Sequence, residues 1–229
     1  MDLTLPSGTA AHLAHTDGAD RGLVIVPDIW GLRPLFAEMC HQVAARTGWS
    51  VGCFEPFPGQ TLAGADDVDL GLAERSAALT GTPDAQLLDD AVALADATGA
   101  TNVGVIGFCM GGMYALKAAG TGRFDAVVSF YGMVHHPAHW AGPHQEQPLD
   151  AVRRGINDDV RVMSVIGGLD QWTPAEHVHE LTEAGVIVVR YPEADHGFVH
   201  DPSRPAHRPD DAADAWDRAL ALLDGATGS

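Results

Sequence analysis

Lysine is almost absent from this sequence: Lys117 stands alone in 229 residues, and Lys and Arg together number 13 against 31 Asp and Glu. The resulting formal net charge of −18 repels nucleic acid and anionic membrane surfaces, so neither is expected as a partner. Anionic substrates are disfavoured too, unless arginines near the site reverse the sign locally. Cysteine is scarce as well. Cys40, Cys53 and Cys109 are too few and too irregularly spaced for a disulfide framework. No CxxC occurs, which argues against thioredoxin-like chemistry and against a thiolate zinc site. No run approaches the 18 or so apolar residues that a membrane helix needs. The opening "MDLTLPSGTAAHLAH" lacks a basic segment followed by an apolar core, so a cytoplasmic location is the expectation.

What the chain does hold is a regular alternation of strand and helix patterns. Apolar runs at 21–28, 49–54, 102–108, 125–131, 160–168 and 185–194 read as strands. Helical patterns lie at 33–48, 83–98, 110–120, 174–184 and 208–225, with a polar helical excursion at 66–80. A long irregular segment, "GMVHHPAHWAGPHQEQPLDAVRRGIND", interrupts the alternation after Tyr131. Strands apolar on both faces and each followed by a helix imply a mostly parallel sheet with helices on both faces. With no repeat and no linker, residues 1–229 are expected to form a single α/β domain. Chemistry in such sheets sits at the carboxyl ends of the strands. That rule selects Asp28, Glu55, Cys109, the loop after Tyr131, Asp170 and His196.

The stretch "VGVIGFCMGGMYA", residues 103–115, places Cys109 between a buried strand and a helix start. Gly107-Phe108-Cys109-Met110-Gly111 is G-x-C-x-G, the thiol form of the nucleophile elbow. A strand that reverses into a helix within about one residue leaves no room for a Cβ two positions to either side, hence the glycines. The helix N-terminus supplies free N–H groups and a positive dipole end, which favour thiolate and oxyanion alike. Asp170 in "VIGGLDQWTP" and His196 in "VVRYPEADHGF" follow the next strands, so nucleophile, acid and base occur in α/β-hydrolase order. Asp195, adjacent to His196, is poorly placed to face its ring.

"GFCMGGMYA", "GGLDQWTP", "YPEADHGF" and "VPDIWGLRP" together resemble the dienelactone hydrolase family, and the likeness runs from about residue 21 to 222. The resemblance implies an α/β-hydrolase fold and hydrolysis of a small ester or lactone through an acyl-thioester, without metal or organic cofactor. It assigns the triad Cys109, His196 and Asp170, and the oxyanion donors to the backbone N–H groups of Met110 and Ile29. Asp28 stands where these enzymes carry a thiol-activating glutamate, one methylene longer. His200 stands where they carry a substrate-gripping arginine, with Arg204 further on; Arg75 lies near a second such arginine. Arg33, Tyr131 and His135 complete the candidate substrate contacts. A small-molecule ester or lactone is the expected partner, and the chain is expected to be a monomer or small homo-oligomer. A thioesterase or acyl transferase could use the same triad.

Rival readings exist. A glutaminase-type amidotransferase also uses a cysteine elbow, and His144-Gln145-Glu146 offers an H-x-E string, though in the irregular segment and not at a strand end. His135, His136, His139 and His144 crowd one loop, but Pro137, Gly142 and Pro143 oppose the rigid helix a metal would need; a lid bordered by His135 is the alternative. A non-catalytic ligand binder would be expected to have lost a triad residue, and none is missing.

Overall fold

The structure, a computed structural model, describes residues 1–60, 62 and 68–226. Its eight strands are β1 (Asp2–Thr4), β2 (Ala10–Ala14), β3 (Arg21–Val26), β4 (Ser50–Phe54), β5 (Asn102–Phe108), β6 (Ala126–Phe130), β7 (Arg161–Gly167) and β8 (Ile187–Tyr191). They form one sheet in the order β1-β2-β4-β3-β5-β6-β7-β8. Pairing is antiparallel at β1–β2 and β2–β4 and parallel from β4 through to β8. This is an α/β-hydrolase fold.

Successive residues of the central strands serve opposite faces, as the two-residue period of a strand requires. Val24, Val105 and Val127 belong to one core and Leu23, Ile25, Ile106 and Val128 to the other. The first core is covered by α3 (Asp84–Ala97), α4 (Met110–Ala118), α5 (Pro148–Asn157) and Leu181 of α6 (Ala175–Glu183). The second is covered by α1 (Pro34–Thr47) and α7 (Pro209–Ala226). Burial on both faces explains why these strands read as unbroken apolar runs.

Two elements depart from expectation. The segment after Tyr131 is not irregular throughout: Pro148 opens α5, which buries Leu149, Ala151 and Val152 on one face. Proline is tolerated in a first helical turn, where its missing N–H has no partner to lose. The N-terminal hairpin β1–β2 has no counterpart in the apolar pattern, because its strands have only three and five residues and sit at the sheet margin. The polar excursion is α2 (Val68–Gly81); its first expected positions, 66 and 67, lie outside the described residues.

Candidate active site

The turn from β5 into α4 is set by backbone packing. A Cβ on Gly107 would lie 2.0 Å from the Gly111 carbonyl oxygen, and one on Gly111 would lie 2.2 Å from the carbonyl oxygens of Val26 and Pro27. Cys109 pivots between them at φ 57°, ψ −118°, a conformation that L-residues rarely adopt. Its N–H donates to the Phe130 carbonyl at 3.0 Å, and its side chain stays half-buried.

The loops after β7 and β8 are stitched together. The Gly168 N–H donates to the Tyr191 carbonyl at 2.7 Å and the Leu169 N–H to the Ala194 carbonyl at 2.9 Å. Asp170 and His196 are thereby brought together: Asp170 Oδ2 accepts from His196 Nδ1 at 2.8 Å, while Oδ1 accepts the Trp172 N–H at 2.9 Å. The Asp195 carboxylate is spent on the His196 N–H at 2.7 Å and does not reach the ring. Tyr131 packs edge-on to the imidazole with centroids 5.1 Å apart. Cys109 lies close enough to the ring to act on its charge.

Burial opposes a charged His196, but Cys109 and Asp170 outweigh it and raise the imidazolium to about 10 from an ordinary 6.5. A raised pKa adds stability that is complete below pH 6.5 and is lost as pH climbs through about 10. In Cys109→Ala only Asp170 remains to hold the charge. The His196 titration, followed by NMR, is expected to fall below its wild-type position. An unchanged titration would show that the thiol contributes nothing to that charge.

The segment after β3 is a tight turn with most of its amides spent. The Trp30 N–H donates to Asp28 Oδ1 and the Gly31 N–H to the Asp28 carbonyl, each at 3.0 Å, and the Leu32 N–H donates to Glu55 Oε2 at 2.9 Å. Neither the Ile29 nor the Met110 amide is used among the described hydrogen bonds. Glu55 supports the turn from beneath, and burial raises its pKa. Its signal in the sequence is an acid at the end of a buried strand.

Asp28 is bonded away from the thiol. Arg33 donates to both of its oxygens, at 2.7 and 3.0 Å, and His200 Nε2 lies 2.8 Å from Oδ2. Arg33 also approaches Asp201 at 3.6 Å. Arg75 is buried, with its guanidinium over the Trp30 ring at 5.0 Å. Arg204 packs against Gly197, where its Nη1 lies 2.6 Å from the place a Cβ would take, and no acidic side chain pairs with it among the described residues. His135 is drawn to α6, where it pairs with Glu180 and meets the His177 ring at 4.6 Å. Of the rival string, Gln145 bonds the Leu79 and Thr82 carbonyls and Glu146 pairs with Arg154, so neither joins Cys109. Among the described residues no group of three or more His, Cys, Asp or Glu side chains is arranged to hold a metal ion, and no helix is long and apolar enough to cross a membrane.

Comparison with known proteins now decides the lineage. The family model for the dienelactone hydrolase family matches residues 9–226. The chain belongs to the dienelactone hydrolase family. A Bradyrhizobium protein named "Probable 2-oxo-3-(5-oxofuran-2-ylidene)propanoate lactonase" is 31% identical over 130 residues, 54% of this chain and 50% of that protein. The chain thus aligns to about half the length of the curated relatives it matches. A Klebsiella pneumoniae structure provisionally named a dienelactone hydrolase superposes with a TM-score of 0.78 at 22% identity, covering 98% of this chain and 97% of the other. A dienelactone hydrolase-like promiscuous phosphotriesterase from metagenomic libraries gives a TM-score of 0.68 at 20% identity, covering 98% and 97%. Both structural likenesses speak to the dienelactone hydrolase fold.

Proposed function

We propose that this protein hydrolyses a small ester or lactone through a Cys109–His196–Asp170 triad and an acyl-thioester intermediate. The observation that carries the reading is the half-buried Cys109, strained at a strand–helix elbow and near enough to act on the charge of an imidazole that Asp170 holds at Nδ1. Family membership supports the same chemistry.

His196 takes the thiol proton. Cys109 Sγ attacks the carbonyl carbon, and the C=O electron pair moves onto oxygen, where the unspent N–H groups of Ile29 and Met110 receive it. Collapse breaks the C–O bond, and the leaving oxygen takes the proton from His196. In a lactone the leaving group stays tethered to the acyl chain. His196, its tautomer fixed by Asp170, then removes a proton from water as the oxygen attacks the thioester. The second collapse breaks C–S, releases the acid and restores the thiolate–imidazolium pair. Thiolate is a good leaving group, so activated acyl groups such as enol esters are better substrates than amides.

Arg204, paired with no acidic side chain among the described residues and packed against Gly197, which follows His196, is the cation available to a substrate carboxylate. Arg33 is neutralised by Asp28. Arg204→Gln is therefore expected to raise KM about tenfold for carboxylate-bearing lactones and to leave neutral aryl esters within about twofold.

The test is a panel of lactones, aryl esters and thioesters, with rapid acid quench and mass spectrometry of the Cys109 peptide. A mass increase equal to the acyl group, removable by hydroxylamine, is expected. Turnover with no acyl adduct on Cys109, or an adduct on another side chain, would overturn the reading.

A further inference from the structure

His200, 3% exposed, is held more firmly than a spectator would be. Its ring packs against Phe36 at 5.9 Å and 16° and against Phe108 at 5.0 Å and 30°, two rings whose own centroids are 6.0 Å apart. Its Nε2 faces Asp28 Oδ2 at 2.8 Å and its Nδ1 faces the Tyr131 hydroxyl. An ionised carboxylate only accepts, so Nε2 carries the hydrogen, Nδ1 keeps its lone pair, and the Tyr131 O–H donates to it. One tautomer satisfies every group. Burial, with Arg33 and Arg204 nearby, keeps the ring below its ordinary pKa, against the pull of Asp28.

The two ends of this chain of bonds lie on opposite halves of the site. At one end, Tyr131 follows Phe130, whose carbonyl holds the Cys109 N–H at 3.0 Å, and the Tyr131 N–H is fixed to the Val165 carbonyl at 2.8 Å. Tyr131 itself takes φ 43°, so its ring is aimed by a strained backbone beside the elbow. At the other end, the Asp28 side chain and carbonyl hold the Trp30 and Gly31 amides, leaving Ile29 at the corner of that turn.

We infer that Tyr131, His200 and Asp28 form a brace that sets the spacing between the Ile29 and Met110 amides, making Tyr131 and His200 positioning residues for the reaction. The inference rests on the Cys109 chemistry proposed above. An oxyanion donor works only if it meets the developing charge at about 2.7–3.1 Å, and a displacement near 1 Å costs on the order of a hundredfold. The brace packs edge-on to the His196 ring through Tyr131 but makes no hydrogen bond to the thiol or to the His196–Asp170 pair, so losing one of its bonds falls on the oxyanion first.

Tyr131→Phe removes one oxygen and keeps the ring packing; His200→Gln is the second variant. Each is expected to lower kcat about 30-fold with KM within about twofold, and the double variant to be no worse than about 50-fold, because both break one chain. Acylation and deacylation, separated by burst kinetics, should fall by the same factor. Alkylation of Cys109 by iodoacetamide is a direct displacement with no oxyanion, so its rate should stay within about twofold. An unchanged kcat in folded Tyr131→Phe would overturn the inference. So would alkylation falling in step with hydrolysis, since the relay would then act on the thiol or on the fold. Retained hydrolysis in Cys109→Ala would overturn the proposed function and this inference with it; loss in Cys109→Ala with no change in Tyr131→Phe would overturn this inference only.

Discussion

Cys109→Ala is expected to lower kcat/KM for ester and lactone hydrolysis by about 10⁴-fold or more while leaving the protein folded. Without Sγ no acyl-enzyme forms, and direct attack by water activated at His196 must replace a two-step path. The unspent amides of Ile29 and Met110 remain, so a residual rate above the uncatalysed reaction survives. The fold should survive, because the strained φ is set by Gly107 and Gly111 rather than by the thiol, while the thermal midpoint falls to the extent that Cys109 had held the charge on His196. Cys109→Ser separates nucleophilicity from shape. Its hydroxyl, with an ordinary pKa far above that of a thiol, cannot form the resting ion pair with His196. Losses of about 10²–10³-fold are expected there. Kinetics on both variants, with thermal midpoints measured in parallel, decide the matter; full activity in the alanine variant would remove Cys109 from the mechanism.

The elbow was legible in the sequence because its causes are local. Backbone atoms of Gly111, Val26 and Pro27 close on the positions where larger residues would put a Cβ, and the glycine spacing records that. Asp170 and His196 were legible because a parallel sheet delivers consecutive strand ends to one rim, and their loops are stitched there by backbone bonds. The surroundings of Asp28 were not. Its carboxylate meets Arg33, five residues on, and His200, 172 residues on, and nothing in local pattern marks such a meeting. The resemblance to the family pointed Asp28 at the thiol, whereas its hydrogen bonds run to the Trp30 amide, Arg33 and His200. Arginine orientation was equally hidden, since Arg33, Arg75 and Arg204 differ only in what the fold sets beside them. Helix α5 escaped because the prolines, glycines and histidines of residues 132–147 masked the amphipathic stretch that follows them.

The chain's one lysine has a structural role. Lys117→Met is expected to destabilise the protein by about 3–5 kcal/mol. The Lys117 side chain is 0% exposed, and its Nζ donates to Asp84 Oδ1 at 2.6 Å. Burial pulls the ammonium below its ordinary pKa, and the Asp84 carboxylate opposes that pull. The other oxygen of Asp84 accepts the Glu146 N–H at 2.6 Å, and its own N–H donates to the His144 carbonyl at 3.3 Å. One ion pair therefore ties α4 to the start of α3 and to the loop that leads into α5. Methionine matches the length of the lysine stem but leaves a buried carboxylate without its cation, and that uncompensated charge accounts for most of the loss. For a chain of this size each kcal/mol shifts the thermal midpoint by about 2–4 °C, so a fall of about 10 °C is expected. Replacing both partners removes the stranded charge. The Lys117→Met/Asp84→Leu double variant should recover at least half of the lost stability, although the Glu146 amide then lacks its acceptor. Urea unfolding of the wild type, both single variants and the double variant completes the cycle. A single-variant cost under about 1 kcal/mol would mean that water or a neighbouring group compensates Asp84, and that the pair is not what holds the loop.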